Sequence, residues 1–203
     1  NADILVLGFT FKENCPDTRN TKVVDVIKSL KRYNTNVTIY DPWAKIDEVK
    51  HEFGLKSFDV LPLKKFDAII YLHVLEHIEK DKKEIERAIK LLKKDGLLII
   101  LAPAHQKLYC NLDKQVGHYR RYEKDFFFSK NFSTLKMIKV IYLDSIGYFL
   151  YYLNKLFLKG SHPSQLKIFL WDKICTPISA IIDFVLRYKF GKCLLGIYKK
   201  VEK

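Results

Sequence analysis

The 203-residue sequence has only 8 glycines, and no Gly-x-Gly-x-x-Gly occurs among them. Gly8 stands alone at the end of the first apolar run. That excludes a loop in which successive glycines bring the backbone against a dinucleotide pyrophosphate. Cysteine is equally sparse: Cys15, Cys110, Cys175 and Cys193 lie far apart, with no Cys-x-x-Cys pair and no secretory leader pattern. A disulfide framework and a zinc ribbon are therefore not expected, and a reducing, cytoplasmic setting is. No apolar run approaches the roughly 20 residues of a bilayer span. The longest candidate, Ile146 to Leu153, is interrupted by Asn154 and Lys155, which predicts a buried or interfacial helix. Internal repeats and low-complexity linkers are also absent. The first residue is Asn1 rather than Met, which sets the expectation of a fragment or processed chain with an upstream part missing.

What is present is apolar content and positive charge. A hydrophobic fraction of 48% suffices for a packed core in one large or two small domains. The formal charge of +13 suits an anionic partner such as nucleic acid, a nucleotide diphosphate or an acidic membrane surface, and does not choose among them. Lysines such as Lys28, Lys31, Lys64, Lys65, Lys82, Lys83, Lys93 and Lys94 are spread along the chain, as on a solvated surface.

The apolar pattern alternates between two periods. Ile4 to Gly8 suits a buried parallel strand. Thr18 to Asn20 offer cap residues, and Val23, Val24, Ile27 and Leu30 then share one helical face. Asn36 to Tyr40 predicts a strand ending at Asp41-Pro42, and Ile46 to Phe53 a short helix closed by Gly54. Phe66 to Tyr71 predicts a strand, Asp81 to Lys94 a helix, and Gly96 to Ala102 a strand ended by Pro103. A strand at Leu135–Leu143, helices at Ile146–Leu158 and Leu166–Tyr188, and a last strand near Leu194–Lys199 complete the pattern. The alternation predicts an α/β fold: a Rossmann-like, doubly wound, mostly parallel sheet with a C-terminal helical insertion before the last strand.

Two stretches carry family resemblances. Val6-Leu-Gly-Phe-Thr-Phe-Lys12, Glu13-Asn-Cys-Pro-Asp17 and Val37-Thr-Ile-Tyr-Asp-Pro-Trp43 resemble the C-terminal UDP-binding domain of UDP-glucose and GDP-mannose dehydrogenases, most of all the branch acting on UDP-N-acetylhexosamines. The resemblance covers about residues 1–70, a βαβα half-domain. It implies that Phe11 and Lys12 contact a UDP-sugar and that Arg19 reaches toward the phosphates of an NAD supplied by a partner domain. Lys12 as a plain surface charge, and Arg19 paired with Asp17, are the structural alternatives. In that family the catalytic thiol belongs to a domain this sequence lacks, so Cys15 is expected to pack rather than react. Dehydrogenation by this chain alone is not expected; upstream dehydrogenase domains would be its missing partners.

From about residue 66 to 203 the likeness changes. Phe66-Asp-Ala-Ile-Ile-Tyr71, Val74-Leu-Glu-His-Ile78, Leu92 to Ile100, Gly117-His-Tyr-Arg-Arg-Tyr122 and Gly191 to Lys200 resemble the distal half of class I S-adenosylmethionine-dependent methyltransferases. By that resemblance Leu75, Glu76 and His77 border S-adenosylmethionine, and His105 or His118 lies near a methyl acceptor as a candidate catalytic base. The departure is the loop after the first strand, where Phe9 and Phe11 supply side chains and that family has a glycine-rich loop. Asp41 ends the second strand, where methyltransferases often keep an acid for the ribose, but it also belongs to the dehydrogenase pattern. A crossover at the Phe66 strand preserves one continuous sheet, because both families place such a strand there.

Three other patterns are weaker. His73-Val-Leu-Glu-His77 fits the inverted zinc-peptidase motif, but it begins at a strand end and has no evident third ligand, so no metal is expected. Tyr119 to Tyr122 alone do not make a nucleic-acid module, and no nucleic-acid partner is expected. The aromatics Phe126–Phe128, Tyr148, Phe149, Tyr151 and Tyr152 are expected in the core, with peripheral contact at the inner face of a membrane as the alternative. Three functional readings stay open: a UDP-sugar-binding protein related to dehydrogenases of surface-polysaccharide biosynthesis, an S-adenosylmethionine-dependent methyltransferase with an atypical cofactor loop, and an inactive hybrid.

Overall fold

The computed structural model describes residues 1–10, 21–128, 132–157 and 169–201. Seven strands form one sheet: β1 (Ala2–Leu7), β2 (Thr35–Tyr40), β3 (Ser57–Phe58), β4 (Phe66–Leu72), β5 (Leu92–Pro103), β6 (Leu135–Leu143) and β7 (Cys193–Lys200). Their order across the sheet is β3-β2-β1-β4-β5-β7-β6. Strands β1 to β5 run parallel, and β7 lies antiparallel between β5 and β6. Among the described residues the α-helices include α1 (Val23–Lys31), α2 (Ile46–Phe53), α3 (Asp81–Leu91), α4 (Asn111–Gln115), α5 (Lys124–Phe128), α6 (Ser145–Phe157) and α7 (Thr176–Val185), the last entered through a π-helical turn at Trp171–Cys175. The doubly wound, mostly parallel sheet expected from the sequence is the one observed, with α6 and α7 ahead of the last strand.

Strand alternation builds two cores, one on each face of the sheet. Ile4 and Val6 of β1, with Ala68 and Ile70 of β4, pack against Val24 and Ile27 of α1 and Val49 of α2. Leu5 and Leu7, with Ile69 and Tyr71, face the other way, onto Ile85 and Ala88 of α3. Each fully buried Leu or Ile stabilises the fold by about 1.5–3 kcal/mol through apolar area removed from water. Helix α2 ends as its sequence requires, with Gly54 in the left-handed region at φ 63° and its N–H donating to the Lys50 carbonyl.

Helix bounds depart in places from the sequence reading, and α7 covers Thr176–Val185 where Leu166–Tyr188 was expected. The helix predicted over Asp81–Lys94 stops at Leu91, because Leu92 leaves helical geometry, is 1% exposed and pairs with Phe66 in β5. The register then shifts, and Lys93 pairs with Asp67 at 2.9 Å instead of continuing the helix. The cap proposed at Thr18–Asn20 lies outside the described residues; Lys22 stands at the N-cap of α1 and makes no side-chain cap bond.

The helical insertion is tied by a cap supplied from a distance. Asp183 of α7, 3% exposed, accepts from the backbone N–H groups of Asp144 and Ser145 at 2.7 and 2.9 Å. Ser179 Oγ accepts from Ile146 N–H at 3.1 Å. The donors left over at the start of α6 are thus met by α7 together with the local Asp144, whose Oδ1 accepts from Gly147 N–H at 2.9 Å. Of the aromatics expected in the core, Phe127 and Tyr148 are buried, whereas Phe128 is 49%, Phe149 58% and Tyr152 43% exposed. Phe128 lies on α5, which packs on β6, and Phe149 and Tyr152 lie on α6, which packs on α7; each of the three is on the face turned to solvent.

Candidate functional site

Open parallel sheets bind ligands outside the carboxyl ends of their strands, where the winding direction reverses. Here that point lies between β1 and β4. A cavity of about 190 Å³ opens there, lined by Leu7, Gly8 and Thr10 after β1, Tyr40 to Trp43 after β2, and His73, Val74, His77 and Ile78 after β4, with Glu84 and Arg87 of α3. Gly8 sits at φ 82°, and a Cβ built on it would meet Val74 Cγ2 at 2.2 Å, so only glycine lets the two loops approach this closely.

Asp41 organises the near wall. Its Oδ2 accepts from the N–H of Phe9 at 2.7 Å, the N–H of Thr10 at 2.8 Å and the hydroxyl of Thr10 at 3.0 Å. Oδ1 accepts from Trp43 N–H at 2.9 Å. At 3% exposure, this carboxylate holds the loop after β1 to the end of β2 rather than offering itself to a ribose. Trp43, 50% exposed on the cavity rim, offers an aromatic face, and Arg87 a guanidinium. On the opposite side, Tyr71 donates to Glu84 at 2.7 Å, and Glu84 also accepts from Arg87 at 2.8 Å.

The far wall is the segment following β4. His73 has φ 54°, an uncommon conformation for a residue with a Cβ, and Leu75–His77 forms a single tight turn. Residues 117–122 clamp this segment. Tyr119 N–H donates to the Glu76 carbonyl at 2.9 Å, Arg120 Nη2 to the Glu79 carbonyl at 2.8 Å, and the Tyr122 hydroxyl lies 3.0 Å from both the Leu75 carbonyl and Asp81 Oδ2. Arg120 also pairs with Asp81 at 2.7 Å. Arg121, 6% exposed, turns inward to Asp113 at 2.9 Å. The basic-aromatic run therefore builds the site, and its cations are consumed inside the fold.

Within that clamp Glu76 is fully buried. Its Oε1 lies 3.1 Å from His73 Nδ1 and 4.0 Å from His118 Nε2, and its Oε2 has no hydrogen-bond partner. Burial by itself would raise the Glu76 pKa, but the neighbouring His73 and His118 hold it below the ordinary carboxylate value. Burial lowers the pKa of His77, whose ring also bonds the Gly117 carbonyl. Desolvation opposes a charged His73, whose side chain is still 46% exposed, and the Cys193 sulfur and Glu76 raise it to about 10.

Asp113 closes the cluster from behind. It accepts from His118 Nδ1, Cys110 N–H, Arg121 Nε and the Tyr151 hydroxyl at 2.8–2.9 Å. Burial would raise this carboxyl, but these donors bring it down to about 2.

The residues expected to form the site separate. Phe11, Lys12, Cys15 and Arg19 lie outside the described residues. Leu75 is fully buried in the core cluster and does not reach the cavity, because the tight turn aims it at the sheet. Glu76 sits behind the cavity wall, and of the expected cofactor trio His77 alone lines it. His118 joins Glu76 and His77; its ring centroid is 4.7 Å from that of His77. His105 stands elsewhere, stacked on Tyr142 at 5.0 Å with its Nε2 3.1 Å from the Gly191 carbonyl. That carbonyl can only accept, so Nε2 carries a proton and cannot serve as a base. Sequence reasoning missed Asp113 and Asp81, acidic residues in no motif; their burial is visible only in the fold.

Residues 5–100 match the model of the UDP-glucose/GDP-mannose dehydrogenase family, UDP binding domain. UDP-N-acetyl-D-glucosamine 6-dehydrogenase of Salmonella typhi is 48% identical over 69 residues, which is 34% of this chain and 16% of that protein. The enzyme of the same name from Pseudomonas aeruginosa is 39% identical over 97 residues, 48% of this chain and 22% of that protein. The chain thus spans at most about a fifth of the length of these two relatives. The family match runs past Phe66 to the middle of β5. Among solved structures, the N-methyltransferase NodS from Bradyrhizobium japonicum WM9, in complex with S-adenosyl-L-homocysteine, superposes with a TM-score of 0.55 at 12% identity, covering 99% of this chain and 79% of that one. The chain is therefore a two-part molecule, resembling the UDP-binding domain of UDP-glucose/GDP-mannose dehydrogenases over residues 5–100 and carrying the methyltransferase fold over its whole length.

Proposed function

We propose that the chain binds a nucleotide-sugar of the uridine-diphosphate class at the carboxyl edge of β1, β2 and β4, and that it does so without oxidising it. The observation that carries this reading is that the segment matching a UDP-binding domain is the one whose strand ends line the cavity. Trp43 offers a face for a base, Arg87 a cation, and Lys12 and Arg19 belong to the same matched stretch. The relatives named UDP-N-acetyl-D-glucosamine 6-dehydrogenase support a role beside UDP-sugar dehydrogenases, which we place in surface-polysaccharide biosynthesis with NAD supplied by a partner domain. Calorimetric titration of the full chain with UDP-N-acetylglucosamine tests it. Micromolar binding that weakens about tenfold or more in Lys12→Ala is the expected result, the loss of one charge-assisted phosphate contact. No heat, or heat indifferent to Lys12, would overturn it.

The fold favours a second reading, an S-adenosylmethionine-dependent methyltransferase using the same edge. The same titration with S-adenosylmethionine discriminates, and silence from both ligands would leave a hybrid scaffold. The single glycine after β1 and the engaged Asp41 weigh against it, since neither presents free backbone or a free carboxylate to that cofactor.

Contact with an anionic bilayer is a further part of this proposal. Among the described residues no helix is long and apolar enough to cross a membrane. Phe149 and Leu153 of α6 and Ile181, Phe184 and Val185 of α7 are 47–72% exposed, and the chain is strongly cationic. Co-sedimentation with phosphatidylserine vesicles, lost in Ile181→Asp/Phe184→Asp, is the expected outcome; equal pelleting of the variant would remove the membrane from the reading.

A further inference from the structure

We infer that Glu76, His77 and His118 form a binding site for one divalent transition-metal ion of the zinc class, with an open position facing the cavity. Each of the three offers a ligand atom, and these atoms all lie within 4.8 Å of one another. A tetrahedral ion with bonds of about 2.0–2.2 Å spaces its ligands roughly 3.4 Å apart, so closure requires side-chain shifts of about an ångström.

His118 Nδ1 lies 2.9 Å from Asp113 Oδ1, and an ionised carboxylate only accepts, so that nitrogen carries a proton. In the neutral ring Nε2 is then a lone pair, and it faces Glu76 Oε1 at 4.0 Å. That separation is too long for a hydrogen bond, so Glu76 Oε1 does not occupy the Nε2 lone pair. The His77 ring is anchored on the Gly117 carbonyl, so its other nitrogen is also a lone-pair donor. Glu76 completes the set: Oε1 is taken by His73, while the fully buried Oε2 has no hydrogen-bond partner. An unpartnered buried carboxylate oxygen costs free energy that a bound cation would recover.

The outer shell has the form such sites require. Each histidine is oriented through its far nitrogen, one by a carboxylate and the other by a backbone carbonyl, and Asp113 is in turn held by Arg121 and Tyr151. Two imidazoles and a carboxylate leave a fourth position vacant, as in open sites, and His77 lies in the cavity wall on that side. The donor set of nitrogen and oxygen suits zinc, iron(II) or cobalt(II) and disfavours calcium and magnesium, which take oxygen ligands. The inference is independent of any nucleotide, because the ion is measured alone.

The test uses the full chain, stripped with a chelator and titrated with zinc chloride in competition with a chromophoric chelator. One equivalent should bind, and His118→Ala, His77→Ala and Glu76→Gln should each weaken it by about tenfold or more, the loss expected when a metal shell is disturbed. His51→Ala, an exposed histidine on α2, should change nothing. Cobalt chloride should give visible bands of a four-coordinate nitrogen-oxygen site that vanish in His118→Ala. Urea midpoints separate ligand loss from unfolding; if His118→Ala does not fold, His77→Ala carries the result from its half-buried turn position. Failure to bind one equivalent, or binding unchanged in the folded variants, would overturn the inference.

Discussion

Asp113→Ala should lower the unfolding free energy by about 3–5 kcal/mol, the cost of leaving one member of a buried ion pair without its partner. Asp113 is 1% exposed, and the Arg121 side chain beside it 3%. Removing the carboxylate strands the guanidinium, which among the described residues keeps the Ala104 carbonyl at 3.4 Å and the ring of Tyr151 at 4.1 Å. It also frees His118 Nδ1, Cys110 N–H and the Tyr151 hydroxyl together, so helix α4 loses its capping box and the clamp over residues 74–81 loses its anchor. Double substitution to Asp113→Ala/Arg121→Met should recover a large part of the loss, because an apolar group of similar volume needs no counter-charge. Urea unfolding at constant slope measures both. A midpoint change below about 1 kcal/mol for Asp113→Ala would show that the guanidinium finds other partners, and the clamp would then not depend on this carboxylate.

Asp41→Ala should act on stability and on binding at once. Each backbone donor left dry costs about 1–3 kcal/mol, and Phe9 N–H is buried while those of Thr10 and Trp43 are partly so. The loop after β1 would then be released from the end of β2, and the cavity would lose the relation between Gly8 and Trp43 that shapes it. Affinity for UDP-N-acetylglucosamine should fall by about tenfold or more, an order of 1.4 kcal/mol, although the carboxylate is committed to the loop. Asp41→Asn separates the two roles, since its amide keeps one acceptor and turns a donor toward N–H groups already donating. It should lose stability in the same direction and by less. Destabilisation without any loss of affinity would mean that the ligand does not lie against the β1 loop, and the cavity between β1 and β4 would have to be abandoned as the nucleotide site.

The extent to which this molecule was legible beforehand follows from how local each signal is. Ile46 to Phe53 and its Gly54 stop are written within nine residues, and the helix has those bounds. Leu135–Leu143 is likewise where strand alternation placed it. The two-residue strand β3 and the five-residue helices α4 and α5 are shorter than the window over which periodicity can be read, and none was anticipated. The site divides in the same manner. His73, Glu76 and His77 attracted notice as one short motif, but the geometry read from their spacing was incomplete. His73 turns to Cys193 and Glu76, while the third potential ligand is His118, 42 positions beyond Glu76 in sequence.

Alternation, cap residues and the length of apolar runs determined the α/β class, the parallel core and the resemblance of the first strands to a UDP-binding domain, because these depend on neighbours within a few residues. Tertiary structure alone decided which polar groups are buried. Glu76 lost solvent, Asp113 gathered four donors and Leu75 was turned into the core when the segment at 117–122 folded back over the end of β4. The physical reason is that a charge's meaning depends on the water and counter-charges around it, and those are set by contacts between residues some 40 positions apart rather than by the residues beside it in the chain.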